Sequence, residues 1–306
     1  MLARRFNVGA MAPPTVEGRR ETMKLADGRV QTWSEFGPAD GVPVLYLHGG
    51  NDCGLEGAWF ADTLDADVRL IAPDRAGFGG TDGMPKRQLG DVAEDVHQLL
   101  DHLGLVELPV FGLSGGGPHV VALLSKSERF TRAAVVASPS EYGSPDFFSG
   151  MWFPIRIAYL VARHLPGFVV RLLQRMMNNA KRNMSYASRM PRPDALLLEG
   201  APVRKERIIR SVTEAHRRGF AGAAQEWRLY TQPWGVDFDR VRVQVALWYG
   251  DQDGMAPPNM GRWLERVLPH AKLEVLEGEA HLSLIHRHAQ RVVRELLGRS
   301  DGPRLG

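Results

Sequence analysis

A single cysteine, Cys53, stands in 306 residues. An internal disulfide is therefore excluded, and the composition fits a reducing compartment, with the cytoplasm as the expected location. No uninterrupted run of about 18 apolar residues occurs, the length that a membrane-crossing helix needs. The nearest stretch, 151–170, is broken by Pro154, Arg156, Arg163, His164 and Pro166. The N-terminus carries Arg4 and Arg5 with no continuous apolar segment behind them, so it does not read as a secretory signal. Internal repeats and low-complexity tracts are absent. So are His or Cys pairs at ligand spacing with a third partner and any phosphate-cradling glycine motif, so neither a metal nor a cofactor is expected. A net charge of only +3 and the lack of an RNA- or DNA-binding motif speak against nucleic acid as a partner.

What is present is ordinary for a globular chain: 44% hydrophobic and 24% charged residues, which exclude a disordered or collagen-like protein. The length allows one large domain or a domain with an insertion. Charge is uneven. Residues 139–238 hold 15 Lys and Arg against 8 Asp and Glu, and the remainder holds 23 against 27. Arg163, Arg171, Arg175, Lys181 and Arg182 recur at near-helical spacing, which reads first as a solvated helix face and second as an attraction for acidic substrates or lipid surfaces. Met1, Met11 and Met23 are all in frame. Residues 1–22 are expected to be a disordered extension and 299–306 a flexible tail.

Short apolar runs alternate with helical patterns. Strand-like segments are 30–36, 42–47, 68–72, 109–113 and 133–137, and then 243–249 and 273–276. Helical patterns fall at 57–64, 88–103, 119–125, 259–267 and 285–297. Leu89, Val92, Val96, Leu99, Leu100 and Leu103 share one side of the second of these. Such alternation implies an α/β fold, a mostly parallel sheet of the eight-stranded type flanked by helices on both faces. From Pro139 to Phe238 the alternation gives way to helical patterns rich in Met, Arg and aromatics. The expected organisation is a core of 23–138 and 239–298, with 139–238 inserted as a helical cap.

The most informative segment is Val110-Phe111-Gly112-Leu113-Ser114-Gly115-Gly116-Gly117-Pro118. A strand runs into Gly-x-Ser-x-Gly and a helical pattern follows. That arrangement places a serine on a tight strand-to-helix turn with its side chain pushed outward. Gly112 and Gly116 allow strand and helix to approach, and Pro118 suits the first helical turn. With 33 Gly and 13 Ser in the chain, roughly 0.15 matches arise by chance, so context must decide. A serine hydroxyl needs a base beside it, and the base needs an acid that fixes its tautomer. In parallel sheets such groups collect beyond the carboxyl ends of strands. One later strand is followed by Gly250-Asp251-Gln252-Asp253, the next by Glu277-Gly278-Glu279-Ala280-His281, so the chain order is Ser, Asp, His.

With His48-Gly49-Gly50 and Asp74-Arg75-Ala76-Gly77-Phe78-Gly79 added, the chain resembles the α/β-hydrolases, in the serine-nucleophile branch that carries a cap domain. The resemblance covers about residues 30–297 and is weakest across the cap. It implies Ser114 as nucleophile, His281 as general base and then acid, and Asp253 as the residue orienting His281. The N–H groups of Gly50 and Gly115 would form the oxyanion hole. Asp251 competes with Asp253, although the pattern Gly-x-x-Asp favours Asp253 and would leave Asp251 a loop-capping role. Glu141 is a remote third acid, and Asn51 a second possible oxyanion donor. His48, Asp74, Arg75 and His119 read as structural, and His286 and His288 as surface residues. The aromatic and Met residues Trp152, Phe153, Tyr159, Phe168, Met176, Met177, Trp227, Tyr230 and Trp234 line an acyl pocket or pack the cap core. The implied activity is cofactor-free hydrolysis of a small-molecule carboxylic ester or lactone by a monomer or homodimer. Cleavage of a C–C or amide bond or perhydrolysis by the same triad, a non-hydrolytic biosynthetic role, and a binding role on the fold are the alternatives.

Overall fold

Valine, leucine and aromatic residues dominate the central segments, as expected where a strand is covered on both faces. A computed structural model describes residues 18–172, 175 and 190–300. Met176, Met177, Lys181 and Arg182, residues 1–17 of the expected extension and 301–306 of the expected tail lie outside the described residues. Eight strands form one sheet: β1 (Arg19–Lys24), β2 (Val30–Phe36), β3 (Val42–Leu47), β4 (Val68–Pro73), β5 (Leu108–Leu113), β6 (Phe130–Val136), β7 (Val245–Gly250) and β8 (Ala271–Leu276). Their spatial order is β1-β2-β4-β3-β5-β6-β7-β8. The pairs β1/β2 and β2/β4 are antiparallel, and all pairs from β4/β3 to β7/β8 are parallel. The fold is the α/β-hydrolase fold anticipated from the alternation.

Period-two alternation divides the core. Leu45, Leu47, Val110, Val135, Leu247 and Tyr249 face one side, where they meet Val96 and Leu99 of α1 (Val92–His102), Val120 and Leu123 of α2 (Gly116–Lys126), and residues of three further helices, α3 (Phe153–Ala162), α6 (Ala221–Tyr230) and α7 (Pro258–Val267). Val44, Tyr46, Phe111, Leu113, Val136 and Trp248 face the other, against α8 (His281–Leu296), whose Leu284, Ile285, Ala289, Val292, Val293 and Leu296 form the apolar stripe of an amphipathic helix. Between β6 and β7 the chain carries α3, α4 (Arg192–Leu198), α5 (Pro202–Ala215) and α6. Among the described residues no helix is long and apolar enough to cross a membrane.

Two expectations need correction. The extension was placed through residue 22, but Arg19–Lys24 pairs antiparallel with β2. This strand, Arg-Arg-Glu-Thr-Met-Lys, lies at the sheet edge and is largely exposed, so it has no hydrophobic period to betray it. Charged residues of this kind are what protect an edge from further pairing. The helical pattern at 57–64 is instead two short 3₁₀ segments, Gly54–Trp59 and Ala61–Thr63.

The sheet and α2 meet with no room to spare. A β-carbon on Gly116 would overlap the backbone carbonyl of Leu47, and one on Gly112 would lie 2.7 Å from the Gly116 carbonyl. Gly116→Ala is expected to destabilise the protein by about 1–3 kcal/mol. Gly83→Ala, where a β-carbon meets nothing within 4 Å, should stay within about 0.5 kcal/mol of the parent. Thermal denaturation of the two variants side by side checks the pair, and equal melting temperatures would contradict the tight approach.

Candidate active site

Ser114 is the first residue beyond β5, at the bend into α2. Its φ is +52°, a left-handed conformation that a non-glycine residue adopts at a cost of about 1–3 kcal/mol. Two hydrogen bonds hold it there: its N–H donates to the Val136 carbonyl at 2.8 Å, and its carbonyl accepts from Gly117 N–H at 3.0 Å. The side chain is neither fully buried nor fully exposed.

His281 is the first residue of α8, and Asp253 lies in the loop after β7. The imidazole Nδ1–H donates to Asp253 Oδ2 at 2.7 Å. The other oxygen of Asp253 accepts the N–H groups of Met255 at 2.7 Å and Ala256 at 3.0 Å, which fixes the plane of the carboxylate. Burial pulls the His281 pKa down, but the charge and hydrogen bond of Asp253 outweigh it and leave the value above the ordinary histidine range. Of the three residues expected to act together, these two are hydrogen-bonded. Among the described residues, Ser114 Oγ makes no hydrogen bond to His281; in unliganded sites such contacts are often long and tighten only with substrate. Asp251 is exposed and accepts Gly278 N–H at 2.8 Å, a loop-to-loop tie away from the imidazole. Glu141 accepts Trp234 N–H at 2.6 Å. Neither competes for His281.

Gly50 and Gly115, expected to supply the oxyanion donors, are brought together. A β-carbon on Gly115 would stand 2.8 Å from Gly50 Cα. The loop bearing Gly50 is clamped from below. Arg75 donates to the carbonyls of His48 and Gly49, the latter at 3.0 Å. His48 Nδ1–H donates to Gly49 O at 2.8 Å, while its Nε2 accepts Arg75 N–H at 3.1 Å. Burial, with the Arg75 charge beside it, keeps His48 neutral, well below the usual histidine range. Glu56 Oε2 accepts Gly49 N–H at 2.6 Å and also the Tyr46 hydroxyl. Burial pushes the Glu56 carboxyl up to about 7 against those bonds. Asp74 braces the neighbouring loop by accepting Gly54 N–H at 2.7 Å and Gly80 N–H at 2.9 Å. His48, Asp74 and Arg75 thus hold loops, as expected of them.

Three residues that the sequence did not single out for such roles come from the helices between β6 and β7. Glu226 of α6 is fully buried and meets Arg75 at 3.1 Å, Arg87, and His119 Nε2 at 3.0 Å. Burial opposes its ionisation, but the two guanidinium groups and His119 hold its pKa well below the usual carboxylate range. Burial and Arg75 lower His119 to about 4, so its Nε2–H donates as a neutral ring. Tyr230, one helical turn after Glu226, donates its hydroxyl to Gly115 O at 3.0 Å, and its ring lies against Gly50 and Gly115. Asp194 of α4 accepts the N–H groups of Leu282 at 3.0 Å and Ser283 at 2.8 Å, directly after His281. A glutamate inside an amphipathic helix and an aspartate near a helix start carry no sequence signal that separates them from surface residues.

The aromatic set divides. Tyr159, Trp227, Tyr230 and Trp234 are buried, and Tyr159 packs edge-on against Trp227 with ring centroids 5.3 Å apart. Trp152 lies against Gly254, beside Asp253. Phe153 and Phe168 are exposed. His286, expected at the surface, is buried and stacks on Trp59 with centroids 6.1 Å apart. It stands three residues before Ala289 and seven before Val293, and so falls beside the core stripe of α8. His288 pairs with Glu279 at 3.0 Å. Cys53 is buried, its thiol directed to Ser211 O at 3.4 Å.

Comparison with known proteins agrees with this architecture. Over 107 residues the chain is 30% identical to an uncharacterized hydrolase, YcgS, of Bacillus subtilis (strain 168), a match covering 35% of this chain and 37% of that protein. Over 127 residues it is 31% identical to the magnesium-chelatase 30 kDa subunit of Rhodobacter capsulatus, covering 37% and 45%. The chain thus spans less than half the length of these curated relatives. A thermophilic esterase from Thermogutta terrifontis superposes with a TM-score of 0.63 at 22% identity, over 92% of this chain and 98% of that one; at such identity the likeness is one of fold. The model of the alpha/beta hydrolase fold family matches residues 42–287. With that match spanning most of its length, the chain belongs to the α/β-hydrolase family.

Proposed function

We propose that this protein hydrolyses a small-molecule carboxylic ester or lactone through an acyl-enzyme on Ser114. The observation that carries the reading is the 2.7 Å bond from His281 Nδ1–H to Asp253, with Ser114 held in the left-handed turn after β5. Ser114 Oγ attacks the carbonyl carbon as His281 Nε2 takes its proton. The imidazolium so formed is stabilised by Asp253, and the developing oxyanion by the N–H groups of Gly50 and Gly115. Collapse expels the alkoxide, which takes the proton from His281. A water deprotonated by His281 then releases the acid. Among the described residues, neither of the two glycine N–H groups has an acceptor, which supports their use by substrate.

In this reading residues 139–238 form the cap. Glu226 and Tyr230 lie at i and i+4, on one face of α6, and this face docks on Arg75 and the glycine pair. The cap therefore helps to shape the acyl site rather than merely cover it.

Hydrolysis of p-nitrophenyl acetate, butyrate and octanoate, with labelling by a fluorophosphonate probe, tests the proposal. Ser114→Ala should lose on the order of 10⁶ in kcat. Parent protein that neither turns over nor labels would reject the proposal. The pH profile carries a sign. Catalysis needs neutral His281, whose pKa stands above the ordinary value of about 6.5. The rate should therefore fall on acidification with a midpoint above that value, and a midpoint clearly below it would contradict the Asp253 contact. Glu226→Gln leaves two guanidinium groups buried beside a neutral partner. A loss of about 3–5 kcal/mol is expected, measured by urea denaturation, together with a lower kcat as Arg75 loosens its hold on the Gly49 carbonyl.

A further inference from the structure

The N-terminus of α8 presents a problem that its own sequence does not solve. The first N–H groups of a helix have no partner within it, and the residue before His281 is Ala280, whose side chain has no oxygen to accept them. Ser283 Oγ turns back to accept Ala280 N–H at 2.8 Å; besides that of His281 itself, the N–H groups of Leu282 and Ser283 still need an acceptor. Both are taken by one carboxylate oxygen, Asp194 Oδ1, at 3.0 and 2.8 Å. Asp194 stands 88 and 89 residues upstream of its two donors. Only 2% of it is exposed.

Resting on the activity proposed above, we infer that Asp194 is a positioning residue for His281, fastening the first turn of α8 and adding a second negative charge to the field that stabilises the imidazolium. Three carboxyl groups act on this ring: Asp253 through its hydrogen bond, and, by charge, Asp194 of α4 and Glu56 of the 3₁₀ segment Gly54–Trp59. Glu279, next but one before His281, is occupied by Arg287 and His288. Burial alone would pull the His281 pKa down; Asp253 opposes this most strongly, then Asp194, then Glu56. Burial likewise raises the pKa of Asp194, while the two N–H donors and His281 favour its ionised form. An anion at this place is favoured twice over, by the positive end of the α8 dipole and by the imidazolium.

The two parts of the role separate experimentally. Asp194→Asn keeps an acceptor oxygen for the two N–H groups and removes the charge. Asp194→Ala removes both. The first readout is an NMR titration of the His281 ring in the full-length parent, Asp194→Asn and Asp194→Ala. It needs no turnover, so it stands even if the esterase reading fails in the p-nitrophenyl assays. In Asp194→Asn the His281 pKa should fall by about one unit. Glu56 is common to parent and variant, so the difference reports Asp194. The second readout is the pH dependence of kcat/KM with p-nitrophenyl butyrate: the acid limb of Asp194→Asn should move to lower pH by the same amount. At the pH optimum Asp194→Ala should lose about tenfold to a hundredfold in kcat as the histidine drifts, and Asp194→Asn should recover most of it. An unmoved His281 pKa in Asp194→Asn overturns the electrostatic part. Parental kcat in a folded Asp194→Ala overturns the fastening. If Asp194→Ala does not fold, recovery of kcat by Asp194→Asn with a shifted pKa still decides for the proposal, and an unshifted pKa against it.

Discussion

The bend from β5 into α2 is the constraint on which the site depends. Ser114 adopts φ +52° because the chain must reverse between a fully buried strand and a helix that starts two residues later. Neither side can relax. Its N–H is tied to β6 and its carbonyl to Gly117, and the strand is buried on both faces. The strain is tolerable only because Gly112, Gly116 and Gly117 let the backbones touch; a β-carbon at Gly117 would strike Ser138 just as one at Gly116 would strike Leu47. The same closeness brings the loop after β3 alongside Gly115, so that Gly50 and Gly115 become neighbours. One local geometric choice thus sets where the serine stands and brings Gly50 alongside Gly115.

A second layer of control is electrostatic. Withdrawing Glu226, Arg75 and Arg87 from water costs several kcal/mol for each ion, which their mutual attraction only partly offsets. Such a cluster is weak evidence for stability and better evidence for coupling. Arg75 is shared between Glu226 and the carbonyls of His48 and Gly49, so α6 cannot shift without altering the support of the loop that bears Gly50. A hydrophobic contact of the same area would tolerate sliding; a guanidinium with three fixed acceptors does not.

Much of this could be read from the chain because the signals are local. Strands β3, β5 and β7 are continuous apolar runs, helices α1 and α8 have apolar stripes, and the glycines around Ser114 mark the bend in the sequence itself. The order Ser114, Asp253, His281 was legible because each stands just past a strand. The choice between Asp251 and Asp253 rested on motif alone, and geometry separates them by what each carboxylate accepts: Gly278 N–H in one case, His281 in the other. Edge strand β1 was missed because its polar residues carry no burial period. Glu226, Tyr230 and Asp194 were missed as functional partners for a different reason. Their meaning lies in contacts at sequence separations of 151, 115 and 88 residues, and no local pattern marks such a pairing.

The division of labour follows from these separations. Strand ends supply the groups that resemble a hydrolytic apparatus, since a twisted parallel sheet gathers its carboxyl ends at one edge. The helices between β6 and β7 supply buried polar side chains that touch the same apparatus at three points: Arg75 through Glu226, Gly115 through Tyr230, and the first turn of α8 through Asp194. Three anchors from two different helices over-determine how the segment sits on the sheet. A lid held by apolar contacts alone could evolve or move independently of the chemistry beneath it. A segment that donates to the Gly115 carbonyl and accepts from the residues beside His281 cannot, because displacing it strips buried donors and charges of a partner. In this chain the segment between β6 and β7, where the sequence pattern is least regular, is therefore bound, through its polar residues, to the strand ends that carry the clearest motifs.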